Sequence, residues 1–475
     1  MLKLDDNRDS TLSHRGRGSK RPFVVQILMC ASLVWTLATA PAAWAKHLVV
    51  GPSGTGPCTF SPAPYGTSVC TTSQFCSIQS AVNAAHNGDE IDICPGTYSE
   101  QVVVTKNLNI FGPNPDPPPG GNFPTGQAII KPGGSLAVNT ANLFSGLPIA
   151  AILLETGVNN SQLSNITVDG AGNTINGCNA TIIGIYYQNA NGQVQNNEAR
   201  NIMEAFNAAC LGGSAIFVQS GGGGSSNVQL QFNSVHDYEK NGITANEQGT
   251  QANMTGNFAT GSGSTAVAQN GIQLGFNATG QLEENTAANH LASGCSLGVC
   301  PAAGTNIIVP STAGGNGNGH GNGNGNCNGN GNGNWNGNGN WNGNGRGNGN
   351  GNGCVSVDDN VVDIADINIF LDEVANGDVS NNVVFQSVLD GIRVVGSFNN
   401  QNNQIRNNSI ANSGEAAIYV DGQNNNINGN TVNGAPYGIF ATSPNNQFGG
   451  GNNFYNTVQA IMDPAASSFT VSPYR

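Results

Sequence analysis

Gly391-Ile392-Arg393-Val394, Ala417-Ile418-Tyr419-Val420, Gly438-Ile439-Phe440-Ala441 and Ala460-Ile461 repeat one phrase near the C-terminus: a small residue, an isoleucine, then an alternating run. Their isoleucines are 26, 21 and 22 residues apart (392 to 418 to 439 to 461). The phrase also occurs upstream at Ile185, Ile216, Ile243, Ile272 and Ile369. A second phrase, apolar-x-x-Asn, follows each first phrase but the last, with its asparagine at Asn197, Asn233, Asn257, Asn285, Asn382, Asn408 and Asn430. A period of this size means one supersecondary unit stacked on copies of itself.

Ile-Arg-Val (392–394) and Ile-Tyr-Val (418–420) alternate with the period of strands that bury one face. Gly and Asn punctuate these runs as turn residues, and helical periodicity is nearly absent. Strands at equivalent places in successive coils must pair in parallel. The fold class expected is therefore all-β, a right-handed parallel β-helix (β-solenoid) with Ile, Val and Leu stacked inside. The recurrent asparagines fit a ladder of side-chain amides, each bonded to its equivalent one coil away. The competing reading makes them turn residues that tolerate the left-handed conformation.

The segment Ile78-Gln-Ser-Ala-Val82-Asn-Ala-Ala85, followed by Asp89-Glu-Ile-Asp-Ile93, Pro95-Gly96 and Val102-Val-Val104, reads as a short helix with Ile78, Val82 and Ala85 on one face, then strand, turn and strand. This resembles the capped start of pectate-lyase-like right-handed parallel β-helix proteins, and the repeats resemble that family's coils over about residues 76–293 and 358–465. The resemblance implies the fold. It leaves activity open, because the fold hosts lyases, hydrolases, esterases, epimerases, adhesins and passive surface proteins. A cap is needed physically, since a bare terminal coil exposes its core and an unpaired strand edge.

Residues 1–45 read as a signal peptide: Arg15, Arg17, Lys20 and Arg21, an apolar run from Phe23 to Ala40, and Ala43-Trp44-Ala45 before Lys46. Export to the periplasm, cell surface or medium is expected, with no transmembrane segment in the mature chain. Ten of the eleven cysteines lie beyond the leader, and an exported chain can pair them. Cys58, Cys70, Cys76 and Cys94 cluster. Cys178/Cys210, Cys295/Cys300 and Cys327/Cys354 are suggested as local pairs. Residues 46–120 are read as cap and first coils, 121–293 as the first part of the β-helix, 294–357 as a Gly/Asn-rich insertion, and 358–475 as the second part with the C-terminal tail. A charged fraction of 9% and a pI near 4.7 argue against nucleic-acid binding.

If each Ile points inward, the residue after it points outward. In eight coils that position holds Tyr186, Phe217, Thr244, Gln273, Phe370, Arg393, Tyr419 and Phe440, so an aromatic column is expected. The next outward position holds Gln188, Gln219, Asn246, Gly275, Asp372, Val395, Asp421 and Thr442. Tyr186, Phe217, Phe370, Arg393, Tyr419 and Phe440 are therefore candidates for contact with a polysaccharide or cell-surface glycan. Coverage by a loop, or strand propensity alone, would produce the same pattern. For catalysis, Arg393, Asp390, Asp421 and Asp372, with Glu415, share a face, and Lys240 is a further base. Asp372 and Asp421 are candidate Ca²⁺ ligands, as is the run Asp358-Asp359-Asn360…Asp363…Asp366. Residue patterns of polygalacturonases, pectinesterases, pectate lyases and alginate epimerases are not evident. Three functions stand at this level: a non-catalytic glycan-binding or structural solenoid; a uronate lyase, C5-epimerase or glycoside hydrolase; and a copper-site maturation factor, which the few Met and His disfavour.

Overall fold

The computed structural model describes residues 45–52, 73–113, 126–176, 179–205, 212–310, 355–396 and 402–463. Most of the leader, Cys58, Cys70, Cys178, Cys210 and the Gly/Asn run with Cys327 and Cys354 lie outside these residues. The rest winds into a right-handed parallel β-helix with three parallel sheets of 13, 12 and 13 strands. Each full coil contributes in order to sheet A, sheet B and sheet C, as in Gly192–Gln195, Glu198–Ile202 and Ser214–Gln219. The coil path runs through Thr305–Pro310 in sheet C and resumes at Val355–Asp358 in sheet A, inside the span that the sequence assigns to the insertion.

One helix, Ile78–Ala84, covers the start of the solenoid and buries Ile78, Ala81 and Val82. Its first turn is capped twice. Ser77 Oγ accepts from Ser80 N–H, and the Glu100 carboxylate accepts from Ile78 and Gln79 N–H at 2.8 and 2.9 Å.

The repeat phrase becomes a column of ten isoleucines in register: 185, 216, 243, 272, 307, 369, 392, 418, 439 and 461. All but Ile461 are fully buried, each contributing roughly 1.5–3 kcal/mol by leaving water. The preceding residue is small because it faces the B-to-C corner. A Cβ on Gly271 would stand 2.7 Å from the His290 ring, and one on Gly438 would stand 2.3 Å from Phe454. Asn306 and Asn368 replace the small residue in two coils and carry a buried polar chain. His290 Nδ1 meets Asn306 Oδ1 at 2.5 Å, Asn306 Nδ2 donates to Asn368 Oδ1 at 2.5 Å, and Asn368 Nδ2 donates to Ser387 Oγ at 2.7 Å. The Tyr238 hydroxyl meets the other His290 nitrogen. Burial lowers His290 to about 4, against a smaller opposing effect of Asn306, so the ring is neutral.

At the A-to-B corner, Asn197, Asn233, Asn257, Asn285, Asn360, Asn382, Asn408, Asn430 and Asn452 form one continuous chain of amides. Each donates Nδ2 to the next Oδ1 at 2.9–3.1 Å. The residue before each lies in the left-handed region, including Phe232 (φ 53°) and Glu284 (φ 56°), which turns the chain sharply enough to aim the asparagine inward. Asn408→Ala is expected to destabilise the fold by about 2–4 kcal/mol, because it strands the amide of Asn382 and the carbonyl of Val379. The exposed Asn159→Ala should shift the melting temperature little. Equal melting temperatures by calorimetry would contradict the ladder's weight.

An isolated carboxyl group also interrupts the apolar interior. Glu155 is fully buried in register with Tyr187, and neither carboxyl oxygen has a hydrogen-bond partner. Burial pushes it up to about 8, so the folded chain carries it protonated at neutral pH. The folded state then binds a proton that the unfolded state has released. Stability should fall as pH rises from about 4.5 to about 8, by roughly 1.4 kcal/mol per unit from this group. Denaturation of Glu155→Gln across this range should lack that slope.

Candidate functional site

Sheet C brings the expected outward column into register: Leu154, Tyr186, Phe217, Thr244, Gln273, Ile308, Phe370, Arg393, Tyr419 and Phe440. Its first half is not open. Residues 139–147 fold back over it, with Thr140–Ala141 antiparallel to Pro148–Ile149. Gln188 Nε2 donates to Ala141 O, and Gln219 accepts from Leu143 N–H and from the Tyr186 hydroxyl. Tyr186 and Phe217 consequently lie at 0% and 6% exposure in a small second core with Ile149, Leu154 and Ile183. A glycan cannot reach these two rings while the hairpin stays down.

The second half is half-exposed, but its ring faces are occupied by one another. Tyr419 stacks on Phe440 (centroids 5.6 Å apart, planes within 10°), and the Arg393 guanidinium covers its other face at 5.1 Å. Tyr437 meets Phe440 edge-on at 5.0 Å. In-register stacking points the rings at each other along the axis and turns their edges outward. Sugar stacking on Tyr419, as read from the sequence, would have to displace a neighbour.

Arg393 does gather carboxylates. Its Nε donates to Asp390 Oδ2 at 2.5 Å, and its Nη2 lies 3.8 Å from Glu415. Asp390 is fully buried and also accepts from Ala416 N–H at 3.1 Å. Glu415 accepts from Gly298 N–H in the loop closed by the Cys295–Cys300 disulfide. Burial pushes Asp390 up to about 6, against the opposing pull of Arg393. The guanidinium is thus neutralised from within, leaving neither a free base nor a free uronate-binding cation. Asp372 and Asp421 are two rungs apart with Val395 between them, about 10 Å at ladder spacing, too far to share one ion. Asp421 instead accepts from Thr442 and Ser443 hydroxyls. The run 358–366 is likewise dispersed: Asp358 accepts from Ser380 and Asn381 on sheet A, Asn360 is in the ladder, and Asp366 accepts from Ala292 and Gly304 N–H. Lys240 donates to Ala268 O at another corner.

Two charged groups escaped the sequence reading. Glu198 is shared by Arg200 and His236 on sheet B, at 3.0 Å each, and His236 also meets Asp237. Glu204 is raised to about 9, chiefly by burial and then by neighbouring Glu239, whose carboxylate accepts from the Glu204 backbone N–H at 3.2 Å.

A more open feature lies at the C-to-A corner. A depression of about 290 Å³ is lined by Leu143, Phe144, Ser220, Glu247, Phe276 and Asn277, among others. Phe144, at the hairpin tip, is 78% exposed beside it. Glu247, raised by burial, is the one carboxyl group among the lining residues. The corner turns lead directly into sheet A, whose outward column reads Gln162, Gln193, Gln229, Asn253 and Gln281 on consecutive rungs. Among the described residues, the side chains of Gln193, Gln195, Gln229, Gln231 and Gln251 form no hydrogen bond with another protein group. The sequence signal is present as Gln193-Val194-Gln195 and Gln229-Leu230-Gln231 in two successive coils, whose central residues alone enter the inward pattern.

No protein-family model matches the chain, and no curated protein matches it. Solved structures do. The A-module of mannuronan C-5 epimerase AlgE4 from Azotobacter vinelandii is similar at 13% identity and TM-score 0.45, over 82% of this chain and 95% of that one. A GH136 lacto-N-biosidase from Eubacterium ramulus is similar at 8% identity and TM-score 0.47, over 88% and 68%. PfbA, a surface adhesin of Streptococcus pneumoniae, is similar at 10% identity and TM-score 0.37, over 81% and 87%. Identities this low concern the fold alone.

Arg393→Ala should destabilise by about 2–3 kcal/mol by stranding a buried carboxylate. Asp390 stands at about 6 against an unfolded value of 3.8, so its contribution is full below 3.8 and declines as pH rises towards 6. Without Arg393 that decline extends to higher pH, so the deficit measured by denaturation should be larger at pH 8 than at pH 5. The three sheets, the helical cap and the inward amide ladder make this chain a right-handed parallel β-helix in fold.

Proposed function

We propose that this chain is an exported, non-catalytic β-helix that binds an uncharged polysaccharide along the C-to-A corner and the outer face of sheet A. The observations that carry this reading are the exposed aromatic ring of Phe144 at the C-to-A corner and the uncommitted neutral amides of Gln193, Gln195, Gln229, Gln231 and Gln251 on the rungs that follow it in the chain. Sugar hydroxyls need donors and acceptors in a regular array, and amides offer both. Uncharged groups on successive rungs favour neutral chains over uronates, and the net charge of −13 acts in the same direction. Lyase and epimerase chemistry is disfavoured because Arg393 is held by two carboxylates, and glycosidase chemistry because the depression has one carboxyl group instead of two. Export is supported by the leader-like first 45 residues and by disulfides at Cys76, Cys94 and Cys295–Cys300.

The test is affinity electrophoresis and calorimetry of the purified chain against neutral glucans, xylans and mannans, with alginate and polygalacturonate alongside. Retention by a neutral polymer, weakened about tenfold or more in Phe144→Ala and in Gln229→Ala/Gln251→Ala but retained in Tyr419→Ala, is the expected result. Preferential binding of a uronate polymer, or release of unsaturated ends abolished by Arg393→Ala, would overturn it.

A further inference from the structure

The first two rungs of sheet A carry a cluster unrelated to glycan binding. The strand His47–Val50 is the terminal strand of its sheet and pairs in parallel with Glu90–Ile93, placing His47 beside Glu90 and Val49 beside Asp92. Leu48, Val50, Ile91 and Ile93 enter the core, so His47, Glu90 and Asp92 stand on the outer face. His47 Nε2 lies 3.2 Å from Glu90 Oε1 and is also in direct contact with Asp92 Oδ2. The three donor atoms all lie within 4.8 Å of one another.

We propose that His47, Glu90 and Asp92 bind a divalent transition-metal ion, with Zn²⁺ the best match. Ligand atoms about 2.0–2.2 Å from one ion stand at most about 4.4 Å apart, so small side-chain rotations close the site. One imidazole nitrogen with two carboxylate oxygens suits Zn²⁺, whereas Ca²⁺ and Mg²⁺ favour all-oxygen sets. The side chains are 38%, 42% and 25% exposed, which leaves coordination positions open to water. The charge count also favours a dication. Two carboxylates face one imidazole, and even a protonated ring leaves one negative charge uncompensated.

The ion would join the edge strand to the next rung. A solenoid opens most readily from its ends, so this staple adds stability where neighbouring coils supply least. It differs from the Ca²⁺ sites expected at Asp372 and Asp421 in place, ligand set and metal.

The experiment is calorimetric titration and thermal unfolding of the untagged, EDTA-dialysed full chain with Zn²⁺, then with Ca²⁺. One Zn²⁺ per chain with a raised melting temperature is expected. Affinity should fall at least tenfold in His47→Ala and in Asp92→Asn, and stay unchanged in Asp421→Asn. His47 and Asp92 are partly exposed, so circular dichroism should report folded variants. Zn²⁺ binding that survives both substitutions, Ca²⁺ binding in its place, or no binding at all would each overturn the proposal.

Discussion

Buried asparagine amides at the A-to-B corner hold successive coils in one register, and everything on the outer faces follows from that register. Each amide oxygen accepts from the side chain and the backbone of the asparagine one coil earlier, as Asn430 does from Asn408. These bonds form inside an apolar interior, where leaving a partner unmade is costly. A slip by one residue would move the isoleucine column out of the core and the asparagines out of the corner together. The left-handed residue before each asparagine makes the corner sharp enough for both requirements to be met.

Exact stacking has a consequence for function. Identical or similar side chains at equivalent positions meet one another before they meet a ligand. Tyr186 and Phe217 pair and are then covered. Tyr419 lies between Arg393 and Phe440, and Arg393 is neutralised by Asp390 and Glu415. An outward aromatic column is therefore chiefly a stabilising feature of sheet C. On sheet A the amides of Gln193, Gln195, Gln229, Gln231 and Gln251 are not drawn into such a ladder, whereas Gln404 accepts from Asn426 one rung on. Phe144 is available for another reason: it sits on a hairpin tip, off the stacking axis.

The period of the Gly/Ala-Ile phrase and the asparagine of each second phrase were enough to read coils, parallel pairing and an amide ladder, and the spacing of Ile78, Val82 and Ala85 was enough to read the capping helix. Ile307 and Asn360 were harder to see. Ile307 follows Asn306 instead of a small residue, and Asn360 follows the Gly/Asn-rich stretch that obscured the period. Asn452 follows Gly450-Gly451 without the usual apolar spacing. The site was much less legible. Alternation correctly assigned Tyr186, Phe217, Tyr419 and Phe440 to one outer column, but it carries no information about what covers a face or what stacks on a ring.

What the sequence by itself determined is the solenoid, because strand alternation, turn residues and the repeat period are local properties that recur in every coil. What only the tertiary structure decided is which outward groups remain free. That depends on contacts between residues far apart in the chain: the 139–147 hairpin on Gln188 and Gln219, Gly298 on Glu415, and His47 on Glu90 and Asp92. None of these has a period. They are set by packing and electrostatics between different coils, and a linear pattern of residues does not record them.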